Sequence, residues 1–315
     1  MKKFLYVVFF GFAFIVSLYL TFPIDALRPY IEKQMQEALA GDPSHPLVLA
    51  PSVHIGELSL WRLSGVSVSN LRVQMGSETT EPGQTMEVQK LKFRFGIFST
   101  FLSKMPKVQF DATIYDGRAR GSVRMTDKGN LSDLWLDINQ IDLQKLRGET
   151  PEGGLPLAGV VNLNADISLG KNPAKDGSGT LSLDFSNLSV GPGLFEIPGA
   201  GGAGLTLPLV KLGRFSGNAS FQKGKATIQN LKLVGGDLEA DVNASLELSE
   251  NILFSPLKGA GWFKMKEDFK KKNPKMATLL ELNPDMKAAE DADGKVYFTL
   301  FGSLVAPTPK WGKQP

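Results

Sequence analysis

The chain has 315 residues, of which 42% are hydrophobic and 21% are charged, so it is long and apolar enough to fold as one large domain or two modest ones. Its formal net charge of +3 is spread along the chain and is not gathered into basic runs, which argues against a nucleic-acid partner. The absence of cysteine excludes disulfides, thiolate metal sites and a cysteine nucleophile.

The N-terminal segment predicts a membrane anchor. The 19 residues from Phe4 to Phe22 carry no charge, and as a helix they would cover about 28 Å, close to the thickness of a bilayer core. Lys2 and Lys3 precede them, so the positive-inside rule places the N-terminus in the cytoplasm and the bulk of the chain in the periplasm. We therefore predict a cytoplasmic stub and a single-pass anchor in a bacterial inner membrane over 1–22. The residues that define it are Leu5, Val8, Phe9, Phe12, Ile15, Val16 and Leu18.

Two other interpretations of this segment are weaker. A cleaved signal peptide would have small residues before its cleavage site, whereas this segment ends in the bulky run 18–22. A buried core helix would be expected to carry a polar face, and this segment has none.

The residues after the anchor predict an amphipathic helix over 23–40. Ile24, Leu27, Ile31, Met35 and Leu39 recur at helical spacing, with charged and amide side chains between them. Such a helix suits either the membrane surface or the end of the following domain, and the sequence leaves both open.

The long middle part, 41–306, predicts a periplasmic β domain with a candidate boundary near 148–156. Residues 157–169 and 238–248 alternate strictly between apolar and polar side chains, which is typical of long strands with one dry and one wet face. Shorter alternating runs lie at 66–75, 108–114, 134–138, 181–185 and 296–304. Turn signals such as Asp116-Gly117 and Lys223-Gly224 separate the runs, so antiparallel hairpins are the expected connections.

The predicted fold class is mainly β, with one long antiparallel curved sheet and a few short helices. Strands of this length make a tall sheet whose apolar face must be covered, and few helices are available to cover it. The sheet is therefore expected to curl, either as a flattened sandwich with a sealed core or as a groove that holds something apolar. The residues expected to line such a groove are Val161, Leu163, Ile167, Val242 and Leu246.

Three further segments interrupt the pattern of strands. The glycine-rich stretch 192–204 predicts a flexible loop and lacks the Lys-Ser or Lys-Thr that a phosphate-binding loop requires. Residues 267–286 predict a helix whose first part contains Lys270, Lys271 and Lys272. These lysines suit a solvated face or, alternatively, contact with anionic lipid headgroups. The tail 307–315, rich in proline and glycine, is expected to be flexible.

Residues suited to catalysis are scarce. His45 and His54 have no acidic partner at ligand spacing, and the acidic residues Glu290, Asp291 and Asp293 lie in a hydrophilic turn. No nucleophile elbow, metalloprotease helix or dinucleotide fingerprint is present in the sequence. We expect no enzymatic activity, no cofactor and no metal site.

The order of these parts resembles a known family. An N-terminal anchor, the helix 27–32 and the following two-faced strands look like the AsmA-like group of bacterial envelope proteins. Within it, the stretches 116–123, 235–242 and 293–304, followed by Pro307 and Pro309, resemble protein N of the type II secretion system, in its deltaproteobacterial and spirochaete form. The resemblance covers nearly the whole chain and rests on patterning and glycine placement.

The resemblance implies a non-enzymatic component of a type II secretion apparatus, anchored in the inner membrane and in contact with other envelope proteins of that apparatus. The wider AsmA-like group implies an alternative, in which the protein carries phospholipid or another apolar ligand across the periplasm along a curved β groove. No functional residue is transferred, because the family has no catalytic motif.

Overall fold

The computed structural model describes residues 17, 21, 23–40, 52–62, 64–75, 84–95, 107–126, 131–147, 156–170, 172–196, 204–249, 254–281 and 283–312. Most of these residues belong to one antiparallel sheet of 14 strands. Strands that follow one another in the chain are hydrogen-bonded neighbours in this sheet, and only one two-stranded hairpin is left out. The mainly β, antiparallel fold class is confirmed.

The first eight strands run along the sheet in chain order. They are β1 (Ser52–Trp61), β2 (Gly65–Met75), β3 (Gln84–Phe95), β4 (Lys107–Ile114), β5 (Gly117–Met125), β6 (Leu131–Asp142), β7 (Leu157–Ser168) and β8 (Ser178–Val190). A separate two-stranded hairpin follows, made of β9 (Gly193–Glu196) and β10 (Gly204–Leu207). The sheet then continues with β11 (Val210–Gln222), β12 (Lys225–Gly235), β13 (Leu238–Glu247), β14 (Leu257–Met265), β15 (Lys295–Gly302) and β16 (Pro307–Trp311).

The helices are short, apart from the first. A 3-10 turn at Ile24–Leu27 leads into α1 (Arg28–Ala40), and the others are α2 (Leu143–Arg147), α3 (Pro173–Asp176), α4 (Glu267–Lys272), α5 (Pro274–Glu281) and α6 (Pro284–Ala288). Every helix except α3 is connected to the end of the sheet where β1 and β7 begin. We call this end the helical end. The opposite end, where β7 finishes, is called the distal end. Strands of twelve or thirteen residues separate the two ends by about 40 Å.

Strict alternation in the sequence predicted the strands well. The runs at 157–169 and 238–248 form β7 and β13, and four of the five shorter runs lie within strands of the sheet. The fifth, 296–304, forms β15 and extends two residues beyond its end at Gly302. The candidate boundary near 148–156 does not divide this sheet, because β6 and β7 on either side of it are hydrogen-bonded neighbours.

Three predictions about segments between and after the strands need correction. The helix predicted over 267–286 is three short helices, because Pro274 and Pro284 each start a new one. Within the glycine-rich stretch predicted as a loop, Gly193–Glu196 pairs with Gly204–Leu207. The flexible tail predicted over 307–315 is wrong for Pro307–Trp311, which pairs with β15 at the edge of the sheet.

Four strands contain a polar residue in the left-handed backbone region. Asn70, Gln140, Asn187 and Asn230 have φ values of 55°, 55°, 53° and 54°. At Gln140, Asn187 and Asn230 the register with a neighbouring strand shifts by one residue, as in a β-bulge, and the apolar-polar alternation shifts with it. Neighbouring amide side chains satisfy two of the bulged amides: the Gln140 N–H donates to Asn162 Oδ1 at 2.9 Å, and the Asn230 N–H donates to Asn243 Oδ1 at 3.2 Å.

Helix α1 covers the first strands of the sheet. Ile31 and Met35 pack against a cluster of buried residues that includes Ile55, Val68 and Val73. The helix therefore caps the domain at the helical end, as one of its two interpretations predicted. Contact of this helix with a membrane surface stays a prediction.

Candidate functional site

One face of the sheet carries an unbroken apolar row. The cross-strand register connects one residue from each of the 14 strands, and every member is apolar or glycine. The row runs through Leu60, Val66, Phe93, Phe110, Gly121, Leu136, Ala165, Leu181, Ala219, Ile228, Ala244, Gly259, Leu300 and Pro309. Since residues paired across antiparallel strands point to the same side, this row marks a continuous apolar face. We call it the inner face.

The five residues predicted to line a groove all lie on the inner face. Ile167 of β7 is connected to Leu246 of β13 through paired residues of β8, β11 and β12. Val161 and Leu163 lie on the same side of β7 as Ile167, because an even number of positions separates them from it. For the same reason Val242, four residues before Leu246, lies on the same side of β13. The structure thus brings the five onto one surface, while their contact with a ligand stays a prediction.

The middle of the inner face is only partly buried. Val161, Ala165 and Ala219 are 8%, 1% and 8% exposed, whereas Leu163, Phe185 and Val242 are half-buried. Leu246 is 6% exposed and Ile167 is half-buried, and both belong to the buried cluster at the distal end. In a sealed sandwich, apolar side chains in the centre of the inner face would be removed from water almost completely. In the centre, buried residues thus stand beside half-buried large side chains, which indicates a face that is covered in part.

Buried clusters cover the margins of the inner face. The largest lies under α1 on the first six strands and includes Ile55 and Val68. A second, around Leu246 and Leu257, lies at the distal end. A third, in which Phe269 of α4 packs with Val210 and Met265, lies at the helical end. Between these clusters are the half-buried positions of β7, β8 and β11.

Aromatic side chains occupy two places on the inner face. Phe185 and Phe215 are paired across β8 and β11, with ring centroids 5.8 Å apart. Phe263, Phe298 and Trp311 form a trio at the last strands, with centroid distances of 6.4, 6.0 and 5.9 Å. The rings of this trio hold β16 against the sheet, which explains why that strand is ordered despite its prolines.

The opposite face of the sheet is polar and carries ion pairs between neighbouring strands. Arg118 donates to Asp111 at 2.8 and 2.6 Å, and Arg120 donates to Asp137 at 2.6 Å. These hydrogen bonds from guanidinium groups lower the pKa of Asp111 and of Asp137 below the usual value. The charged face is therefore adapted to water, and the two faces differ sharply in chemistry.

The three lysines predicted to contact headgroups are not equivalent. Lys270 is mostly buried, and its Nζ lies 2.9 Å from Glu267 and 3.8 Å from Glu290, so its charge is balanced within the protein. Lys271 and Lys272 are exposed. Lys271 and Lys272 present their side chains more fully than Lys270 does, and contact of the three lysines with lipid headgroups stays a prediction.

The predicted anchor lies outside the described residues, except for Ser17 and Thr21. In the described part of the chain, no helix combines the length and the apolar character needed to cross a membrane.

The described residues also contain no group of three or more histidine, aspartate or glutamate side chains that could hold a metal ion. His54 lies 3.8 Å from Glu32 and is exposed at the beginning of β1, on the edge of the sheet. Asp291 accepts hydrogen bonds from the Lys295 and Asp293 amides and, at 3.0 Å, from the Tyr297 hydroxyl, all within the turn before β15. Asp291 thus has a structural role in that turn.

No family model, no curated protein and no solved structure matches this chain.

Proposed function

We propose that the protein binds a long apolar molecule, such as the acyl chains of a lipid, along the inner face of its sheet. The observation that carries the proposal is the apolar row through all 14 strands, combined with the half-buried side chains at its centre. At about 4.8 Å between strands, the row extends for roughly 60 Å along the sheet. Such a length suits an extended hydrocarbon better than a compact ligand.

The physical basis of binding is the removal of hydrocarbon from water. Each methylene group that the inner face shields contributes about 0.8 kcal/mol. None of the residues paired along the row is charged, so an acyl chain meets no unpaired polar group there, while a headgroup can stay at the wet margin. The face therefore suits a series of similar chains without selecting one length.

We place this binding domain on the periplasmic side of a bacterial inner membrane, held there by the predicted N-terminal anchor. The location rests on the uncharged segment 4–22 and the lysines before it. The AsmA-like resemblance gives the same location. With an apolar face to shield a chain, a domain in that place would carry lipid through water and would need no catalytic residue.

We also propose, as a second candidate, a role as a component of a type II secretion apparatus. The supporting observation is that β1 is an edge strand and that, among the described residues, no strand pairs with its outer side. The backbone of Glu57–Trp61 could then pair with a strand of another envelope protein. Deletion of the gene would then reduce secreted enzymes in the medium. Normal secretion together with an altered lipid distribution would favour the first function.

A photoreactive fatty acid tests the first function on the full chain. A diazirine-bearing acyl chain should cross-link to peptides from β7, β8 and β11, and mass spectrometry separates these from cross-links to residues 1–22. The variant Leu163→Glu places a charge on the inner face and should reduce the β-strand cross-links at least fivefold. Its matched control is Asn164→Glu, one residue along on the exposed face, which should leave them unchanged.

Cross-links confined to residues 1–22, or an equal yield from the two variants, would count against the proposal. Far-ultraviolet circular dichroism of both variants establishes that the sheet is retained before the yields are compared.

A further inference from the structure

The two edges of the sheet differ in their capacity to accept a further strand. β1 forms one edge and β16 forms the other. An edge strand presents backbone N–H and C=O groups with which a strand of another chain can pair, unless the sequence prevents it. The amides that point outward at each edge therefore decide where the sheet can be extended.

The edge at β16 is closed by proline. The Gly312 amide donates to the Tyr297 carbonyl at 3.2 Å, so it points towards β15. Because amide directions alternate along a strand, the outward positions of β16 are those of the other parity, which include Pro307 and Pro309. Proline has no amide hydrogen. An incoming strand would thus find no donor at two successive outward positions.

The edge at β1 is protected over its first half. The Ile55 amide points outward and donates to the Glu32 carboxylate of α1. Leu58 lies in the same buried cluster as Ile55, and Leu60 lies two positions further on the same face. Since the direction of an amide and the face of its side chain alternate together along a strand, the Leu58 and Leu60 amides also point outward. In the described part of the chain, no strand is paired with that side of β1.

Basic side chains lie beside the second half of β1. Trp61, which ends the strand, lies on the polar face, opposite to Leu60. The Arg62 guanidinium lies 5.2 Å from the centre of the Trp61 ring, and the Lys92 Nζ lies 5.4 Å from it. Two cations therefore stand against the last polar-face side chain of this edge.

The acidic residues nearest in the register leave this positive charge in place. Asp111 stands opposite Lys92 on β4, but its carboxylate already accepts two hydrogen bonds from Arg118, at 2.8 and 2.6 Å. Glu57 is the one acidic residue of β1, and it is four positions from Trp61, which is about 13 Å along an extended strand. The surroundings of Trp61 therefore favour an acidic side chain on an incoming strand.

We propose that β1 accepts one antiparallel strand of a partner protein along Glu57–Trp61, with an acidic side chain opposite Trp61 and apolar side chains on the inner face. Side chains opposite each other in an antiparallel pair have Cβ atoms about 4.5–5.5 Å apart, so the acid can reach Arg62 or Lys92. This names the partner chemistry of the second proposed function, and it rests on that function for the partner being an envelope protein.

The closed edge at β16 limits the assembly. A sheet with two open edges can pair edge to edge with further copies and grow into a filament. Here the prolines of β16 prevent such growth, and the protein takes part in one pairing, at β1.

Peptide binding to the full chain in nanodiscs tests the pairing. The probe is a short labelled peptide in which valine alternates with glutamate and serine, and its matched control has lysine in place of each glutamate. Fluorescence anisotropy should show at least tenfold tighter binding of the glutamate peptide. Hydrogen exchange followed by mass spectrometry should then slow in β1 and stay unchanged in β16.

Proline at an outward position separates the role of the backbone from that of the side chain. Leu60→Pro removes one outward donor and should weaken binding of the glutamate peptide at least tenfold. Leu60→Ala removes the same side chain but keeps the amide, so the affinity should change by less than threefold. Far-ultraviolet circular dichroism establishes that both variants retain the sheet.

The charge requirement is tested at Lys92, without the backbone change that proline introduces. Lys92→Gln should reduce the preference for the glutamate peptide over the lysine peptide at least threefold. Lys90→Gln is the matched control, because Lys90 is exposed on the same face of the same strand. This control should keep the preference of the native protein.

Equal affinities for the two peptides, or equal binding by Leu60→Pro and Leu60→Ala, would overturn the inference. A concentration-dependent dimer that Leu60→Pro abolishes would assign the edge to a second copy of the chain and also overturn it. Selective binding of the glutamate peptide, together with normal secretion after deletion of the gene, would support the pairing and count against the second proposed function alone.

Discussion

The carboxylate of Glu32 accepts a hydrogen bond from the backbone amide of Ile55 at 2.7 Å. Ile55 lies in β1, the first edge of the sheet, and Glu32 lies on the helix that covers it. The helix therefore occupies a backbone donor that would otherwise be open to another strand.

Replacing Glu32 by alanine should destabilise the protein by about 1–3 kcal/mol, because a donor to a charged acceptor loses its partner. Urea denaturation measures the change. Glu37→Ala is the matched control on the same helix: its carboxylate is exposed and lies 3.9 Å from Lys33, so its removal should change the free energy of unfolding by less than about 0.5 kcal/mol. Equal effects of the two variants would mean that the bond to Ile55 contributes little.

Removing Trp311 should release β16. The indole packs edge-on against Phe263 and Phe298, and each such aromatic pair is worth about 0.5–1.5 kcal/mol. Trp311→Ala should make the chain after β15 sensitive to limited proteolysis at protease concentrations that leave the native protein intact. Lys310→Ala, an exposed neighbour, should not. An unchanged cleavage pattern in Trp311→Ala would show that backbone pairing alone retains the strand.

A methyl group at Gly121 should conflict with Phe110. Its carbon would lie 2.5 Å from two atoms of the Phe110 ring, which covers the glycine on the neighbouring strand. Gly121→Ala should therefore cost about 1–3 kcal/mol of stability. In a double-mutant cycle with Phe110→Ala, the penalty at position 121 should shrink, and additive effects would contradict this explanation.

Acid should destabilise the protein by protonating the aspartates in the ion pairs on the polar face of the sheet. Arg120 lowers the pKa of Asp137, and Arg118 lowers the pKa of Asp111, below the unfolded value of about 3.9. A lowered folded-state pKa contributes stability above the unfolded pKa, and this contribution is lost as the pH falls through the folded-state pKa. The urea midpoint should thus decrease below about pH 4.

The variant Asp137→Asn tests the assignment of this pH dependence. This variant should be less stable at neutral pH than the native protein. Its urea midpoint should decrease less steeply as the pH falls, because one of the titrating groups is gone. Ser122→Ala, an uncharged change on the same face of β5, should keep the slope of the native protein. A slope in Asp137→Asn as steep as the native one would assign the acid sensitivity to other groups.

The sequence predicted strands best where no bulge interrupts them. β7 and β13 follow strict alternation over almost their full length, so their bounds and their five groove residues could be derived from pattern alone. The runs 134–138 and 181–185 were too short, because Gln140 and Asn187 shift the alternation and the strands continue beyond them. A bulge needs a left-handed residue, and asparagine or glutamine in a strand is only a weak signal for it.

The remaining features depend on contacts between segments distant in the sequence. The order of β16 rests on Trp311 meeting Phe263, and proline is tolerated there because the strand is an edge. The apolar row could not be derived, since it requires the register of every strand pair. The position of Leu304 likewise appears only when the turn after β15 is placed against Ser255.

The order of strands in the sheet follows the order of the chain, with only the β9–β10 hairpin set aside. Each new strand therefore finds its partner already formed, and no early segment has to wait for a late one. A polypeptide that is threaded through a translocation channel from its N-terminus can add one strand at a time to the growing sheet as it emerges. The same arrangement lets evolution lengthen or shorten the sheet by whole hairpins while the existing register is preserved.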